Sequence, residues 1–178
     1  AVFTELTREE ELFHLRSEFL NKSFVRFGVA LGHLEAEAFD LALSFNPPVV
    51  DTPKERRHVA DTLNKIYLES LDNAALDGVV KSLGAKSPGS GSLKRLQTIM
   101  ETMASSTEVA ALMLPLYVLY DLRVAYSHLT PGLNPPQLES VAKRLDLTPD
   151  ASLSDIYEKL IEGLLGTFSK VNEILDAA

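Results

Sequence analysis

The segment Leu116-Tyr117-Val118-Leu119-Tyr120-Asp121-Leu122-Arg123-Val124-Ala125-Tyr126-Ser127-His128-Leu129 is apolar except for four strongly polar side chains: Asp121, Arg123, Ser127 and His128. An arginine taken out of water without a partner is costly, so these groups must pair internally or line a cleft. On a helix, Arg123 and Ser127, four apart, share one face, and Asp121 and His128, seven apart, share another. Arg123 and His128 are five apart, about 140° around the axis, which a long guanidinium can span. Tyr117, Tyr120 and Tyr126 add flat surfaces and hydroxyl donors. Together the set can bind a phosphate diester. Arginine clamps the anion, histidine carries a proton near neutral pH, and serine or tyrosine donates hydrogen bonds. The same residues also have a structural use, with Arg123 paired to an acid of a neighbouring helix and His128 on the last carbonyls before Thr130-Pro131-Gly132.

Other constellations are weaker. Gly84-x-x-x-x-Gly89 continues as Ser90-Gly91, without the lysine a phosphate-binding Walker loop needs and with no strand before it, so it reads as a surface linker. His14, His33, His58 and His128 are scattered, with no metal-ligand spacing, and no metal or cofactor is expected. Glu9-Glu10-Glu11 point in three directions around a helix and complement its positive N-terminus.

The elements that must position these residues are helical. Thr7-Arg8-Glu9-Glu10 is a capping box, and Thr52-Pro53-Lys54-Glu55 repeats it with proline at the first helical position. Between them Phe13, Ser17, Leu20, Phe24, Phe27, Leu31, Leu34, Ala38, Leu41 and Phe45 form a heptad-like stripe. It predicts one long helical segment over 1–46, kinked or broken at Gly28 and Gly32 or joined near 21–23. Further helices are expected over about 53–72, 74–83, 93–104, 107–129 (capped by Thr107), 137–145 and 153–175, the last with the clearest period. The expectation is an all-α helical bundle of about five to seven helices in a single domain over 1–178. The long segment 1–46 joins a bundle over 53–178, with a buried central helix at about 107–129.

Composition narrows the chemistry. The chain has 178 residues, no cysteine, 17 Lys+Arg against 25 Asp+Glu, and a net charge of −8. Thiolate metal sites, disulfides and cysteine nucleophiles are excluded, and the composition suits a reducing cytoplasm, where the protein is expected. The negative balance argues against a broad nucleic-acid-coating surface and leaves room for a small local site. The apolar run 109–120 is shorter than the roughly 20 residues a membrane span needs, so no membrane association is expected.

Arg123-Val-Ala-Tyr-Ser-His128 fits R-x4-H, and this resembles the R-x4-6-H motif of the HEPN family. That resemblance implies an all-α bundle acting as a homodimer with two motifs facing each other. It also implies a metal-independent endoribonuclease or RNA-binding role in toxin–antitoxin or anti-phage defence. Arg123 and His128 would be its catalytic pair, acting on a ribose 2′-hydroxyl and the adjacent phosphate, with Tyr117, Tyr120, Asp121, Tyr126 and Ser127 as binding residues. The chain departs from the family pattern at Val124, where many active members carry Asn, Asp or His after the arginine. A non-catalytic helical dimerisation or interaction module, with a protein partner, is the alternative.

Overall fold

Thr7 opens the first helix as its spacing predicts: Oγ1 accepts from the Glu10 N–H at 3.1 Å, and Glu10 returns a bond to the Thr7 N–H at 2.9 Å. The computed structural model describes residues 5–127 and 135–177. Among these, regular structure is helical throughout. The elements are α1 (Arg8–Phe27), α2 (Glu35–Ser44), α3 (Pro53–Asn64), a π-helical turn (Lys65–Glu69), α4 (Asn73–Ser82), α5 (Ser92–Glu101), α6 (Ser106–Ser127), α7 (Pro135–Arg144) and α8 (Leu153–Ala177). The only β pairing among them is an isolated bridge between Gly32 and Leu71. The protein is an all-α bundle.

Among the described residues eight α-helices stand where up to seven were expected, because the first segment is two helices. Gly28 ends α1 in the left-handed region (φ 71°), where glycine has no Cβ to clash. The break falls there and not near 21–23. Leu34 then starts α2 in the same region (φ 55°), which costs a non-glycine residue on the order of 1 kcal/mol. That turn brings Glu35 onto Arg16 of α1, with two hydrogen bonds at 2.8 and 3.1 Å, while Ser70 Oγ accepts a third from Arg16 at 2.9 Å.

The buried face of α1 is Leu12, Arg16, Phe19 and Ser23, one position away from the apolar stripe read in the sequence. Arg16 and Ser23 hid this face, since a pattern of apolar residues passes over a buried cation. Phe24, which belongs to the apparent stripe, is exposed.

Helix α6 passes through the middle of the bundle, touching α3, α5, α7 and α8, while α1 packs along α8. It starts one residue earlier than expected, capped by Ser105, whose Oγ accepts from the Glu108 N–H at 3.3 Å, and not by Thr107. Among the described residues it is the one helix long and apolar enough to cross a membrane, and its Val109, Met113, Leu116, Val118 and Leu119 are buried against its neighbours. Pro115 sits inside α6 and removes one helical hydrogen bond. Helix α8 fits around it. Gly163 faces the proline ring, and Thr167 Oγ1 donates to the Leu112 carbonyl at 2.6 Å. Phe168 closes the core between Phe19 and Tyr67, with ring centroids 5.9 and 5.7 Å away.

Candidate functional site

Four of the polar and aromatic residues read from the α6 segment meet at one cleft. Tyr117, Tyr120, Asp121 and Arg123 form one wall of a depression of about 640 Å³, within the size range of small-molecule sites. A second wall comes from Asn64 at the end of α3 with Leu68 and Glu69 of the π-turn. The third is Ser90 to Lys94, the end of the glycine loop and the first turn of α5.

Each side chain on the α6 wall has a definite setting. The Tyr117 hydroxyl donates to Gln97 Oε1 at 2.7 Å, and burial, with help from the Glu101 charge, pushes its ionisation above the ordinary tyrosine range. Tyr120 is half exposed where it lines the cleft. Asp121 accepts from Arg144 NH2 of α7 at 2.6 Å. Among the described residues Arg123 reaches only Asp61 of α3, Nε to Oδ1 at 3.6 Å, and 44% of its side chain is open to solvent. Arg123 is therefore held at the cleft mouth by a partner that is itself solvated.

Tyr126 and Ser127 lie outside the cleft lining. The Tyr126 hydroxyl accepts from Arg56 at 3.1 Å and its carbonyl accepts from Arg57 at 3.1 Å. Burial pushes its phenol up, partly offset by Arg56. Ser127 Oγ donates to the Val124 carbonyl at 2.7 Å, a local bond that closes the end of the helix. These two residues anchor the end of α6 to α3 and to its own backbone. His128 lies outside the described residues, as does the 130–134 turn.

The glycine loop does more than link. Ser87 Oγ donates to Asp77 Oδ1 at 2.7 Å, and Arg95 reaches the same carboxylate at 3.3 Å. Those bonds, with Lys81, hold the Asp77 carboxyl down at about 2, the Lys81 and Ser87 hydrogen bonds being the largest causes. The loop is thereby tied to α4 and delivers the start of α5 to the cleft. Reading the sequence alone passes over Asn64, Glu69 and Lys94, which lie in three different stretches and carry no motif. The one usable signal was an asparagine directly after Leu63 on the buried side of a helix.

The remaining histidines stay dispersed. His14 pairs with Glu18 at 3.6 Å on the surface, His33 Nε2 meets the Glu69 carbonyl at 2.8 Å, and His58 is exposed. Among the described residues no group of three or more His, Asp or Glu side chains is placed to hold a metal ion. Comparison of the chain with protein-family models, curated proteins and solved structures finds no match.

Proposed function

We propose that this chain is an RNA-directed helical domain, HEPN-like, in which Arg123 and His128 act on a ribose 2′-hydroxyl and its neighbouring phosphate. The observation that supports this is the place of Arg123. It stands at the mouth of an open cleft beside Tyr117 and Tyr120, and its only partner among the described residues is a solvated carboxylate 3.6 Å away. A guanidinium so placed can exchange Asp61 for a phosphate at little cost, since an exposed ion pair is weak. The chemistry needs an anion clamp and a proton carrier, and no metal takes part in it. With a net charge of −8, RNA contact is confined to this cleft and its rim.

The experiment is metal-free cleavage of a mixed-sequence RNA by the wild type, Arg123→Ala and His128→Ala. Loss of about 10²- to 10⁴-fold in both variants supports the reading. Equal activity in all three ends it.

A second reading, a helical interaction module, is favoured by one feature. Phe39 (50% exposed) and Leu43 (70% exposed) of α2 border a shallow groove of about 500 Å³ that also contains Leu6 and Phe13. Contiguous exposed apolar surface of this kind marks association sites. Light scattering on the wild type and on Phe39→Glu/Leu43→Glu, taken with the cleavage assay, separates the two readings. A dimer abolished by the double variant, with no RNA cleavage in the wild type, selects the interaction module.

A further inference from the structure

Asn64 is 6% exposed, lines the cleft, and its side chain makes no hydrogen bond with any described residue. Its amide, with two donors and an acceptor, keeps contact with solvent at the cleft and is open to a ligand there. It also heads the π-turn, a distortion that helices carry disproportionately at functional sites. The fully buried orphaned side-chain atoms among the described residues belong to Ser23, Gln137 and Asn172, and none of these lines the cleft.

The groups facing Asn64 across the cleft have complementary needs. Helix α5 starts at Gly91 (φ 88°) with no side chain capping its first turn, so the positive end of a ten-residue helix opens on the cleft. Among the described residues Lys94, in that turn, has no ion-pair partner, and Arg123 has only its loose contact with Asp61. Glu69 on the opposite wall is an exposed carboxylate without a partner cation. Tyr120 lines the same cleft, half exposed. Asp121 also lines the cleft, but Arg144 neutralises it.

We propose that this cleft binds a single ribonucleoside monophosphate, with Asn64 recognising the base. The phosphate lies at the start of α5 between Lys94 and Arg123. Glu69 accepts from the ribose hydroxyls, the base stacks on Tyr120, and the Asn64 amide pairs with the base edge as a donor and an acceptor. The choice of ligand class rests on the RNA-directed reading above; the site itself rests on Asn64 and the start of α5.

Calorimetric titration of the full chain with AMP, GMP, CMP, UMP, ribose 5-phosphate and inorganic phosphate tests this. At least one nucleotide is expected to bind about tenfold more tightly than ribose 5-phosphate, the discrimination one amide–base pair provides. Asn64→Leu is expected to lose that tenfold preference and leave ribose 5-phosphate binding unchanged. Asn64→Asp, of the same shape, is expected to change which nucleotide binds best. Lys94→Ala is expected to weaken every phosphorylated ligand alike. Equal binding of inorganic phosphate and nucleotides, no binding of any at millimolar concentration, or an unaltered base ranking in Asn64→Asp overturns the proposal. Nucleotide binding without RNA cleavage leaves this site standing and removes the ribonuclease reading. Cleavage without mononucleotide binding does the reverse.

Discussion

Nε of Arg123 stands 3.6 Å from Oδ1 of Asp61, and the two side chains are 44% and 40% exposed. A pair this open contributes about 0–1 kcal/mol to stability. It orients the guanidinium toward the cleft without locking it. Asp61→Asn is therefore expected to shift stability by less than about 0.5 kcal/mol. It should raise affinity for a short single-stranded RNA about threefold at fixed salt, because a carboxylate competing for Arg123 is removed. Fluorescence anisotropy measures this, and unchanged affinity would detach Arg123 from RNA binding.

Arg16 and Glu35 give an asymmetric prediction. The Arg16 side chain is 3% exposed and Glu35 is 50% exposed. Removing the acid strands a buried cation beside Ser70 Oγ and the Phe13 ring, whose centroid is 5.4 Å away. Glu35→Ala should cost about 3 kcal/mol. Arg16→Met leaves an apolar chain of similar length in the same space and a carboxylate free to hydrate, so it should cost less than about 1.5 kcal/mol. Urea unfolding of both variants checks the order; equal losses would contradict it.

Two glycines of α8 should respond in opposite directions. A Cβ on Gly163 would lie 3.0 Å from Cγ and 3.1 Å from Cβ of Pro115, whose ring is held inside α6. Gly163→Ala is expected to destabilise by about 1–3 kcal/mol through overpacking. Gly166 has open space around it, so Gly166→Ala should gain about 0.5–1 kcal/mol from helix propensity. Thermal unfolding of the pair is the measurement, and a shift of the same sign in both would refute the close fit at Pro115.

Asp51 ties the segment before α3 to the start of α8. Its carboxylate accepts from Arg56 at 2.6 and 2.8 Å and from the Leu153 N–H at 3.0 Å. The Arg56 bonds, then the Leu153 bond, hold its pKa down at about 2. With the folded value below the unfolded one, the stabilisation is complete above about pH 4 and fades as pH falls toward 2. Because the side chain is 41% exposed, screening limits this to on the order of 1 kcal/mol. Asp51→Asn should flatten the fall in melting temperature between pH 4 and pH 2, and an identical slope in wild type and variant would sink the assignment.

Legibility in the sequence followed the range of the interaction. Caps act over three residues, so Thr7 and Thr52 could be read directly, while Gly28 stood in the sequence as one of several candidate breaks. The 53–72 helix was less readable. Its π-turn at Lys65–Glu69 follows from packing against α2 and α6 and from the latch that joins it to the α1–α2 loop. That latch includes the Asp72 N–H to Leu31 carbonyl bond at 2.7 Å and the His33 N–H to Ser70 carbonyl bond at 2.8 Å.

From its sequence alone, the chain was bound to be helical, with an apolar α6 at its centre and its polar groups concentrated near the end of that helix. Helical period and capping are properties of residues within a turn or two of one another. Only the tertiary structure decided which groups share a cleft. It brought Tyr117, Tyr120, Asp121 and Arg123 together with Asn64, Glu69 and Lys94, and turned Tyr126 and Ser127 to anchoring the helix end. That sorting depends on how α3, α5 and α6 cross and on an extra residue wound into one turn. Those are long-range packing outcomes that no local spacing encodes.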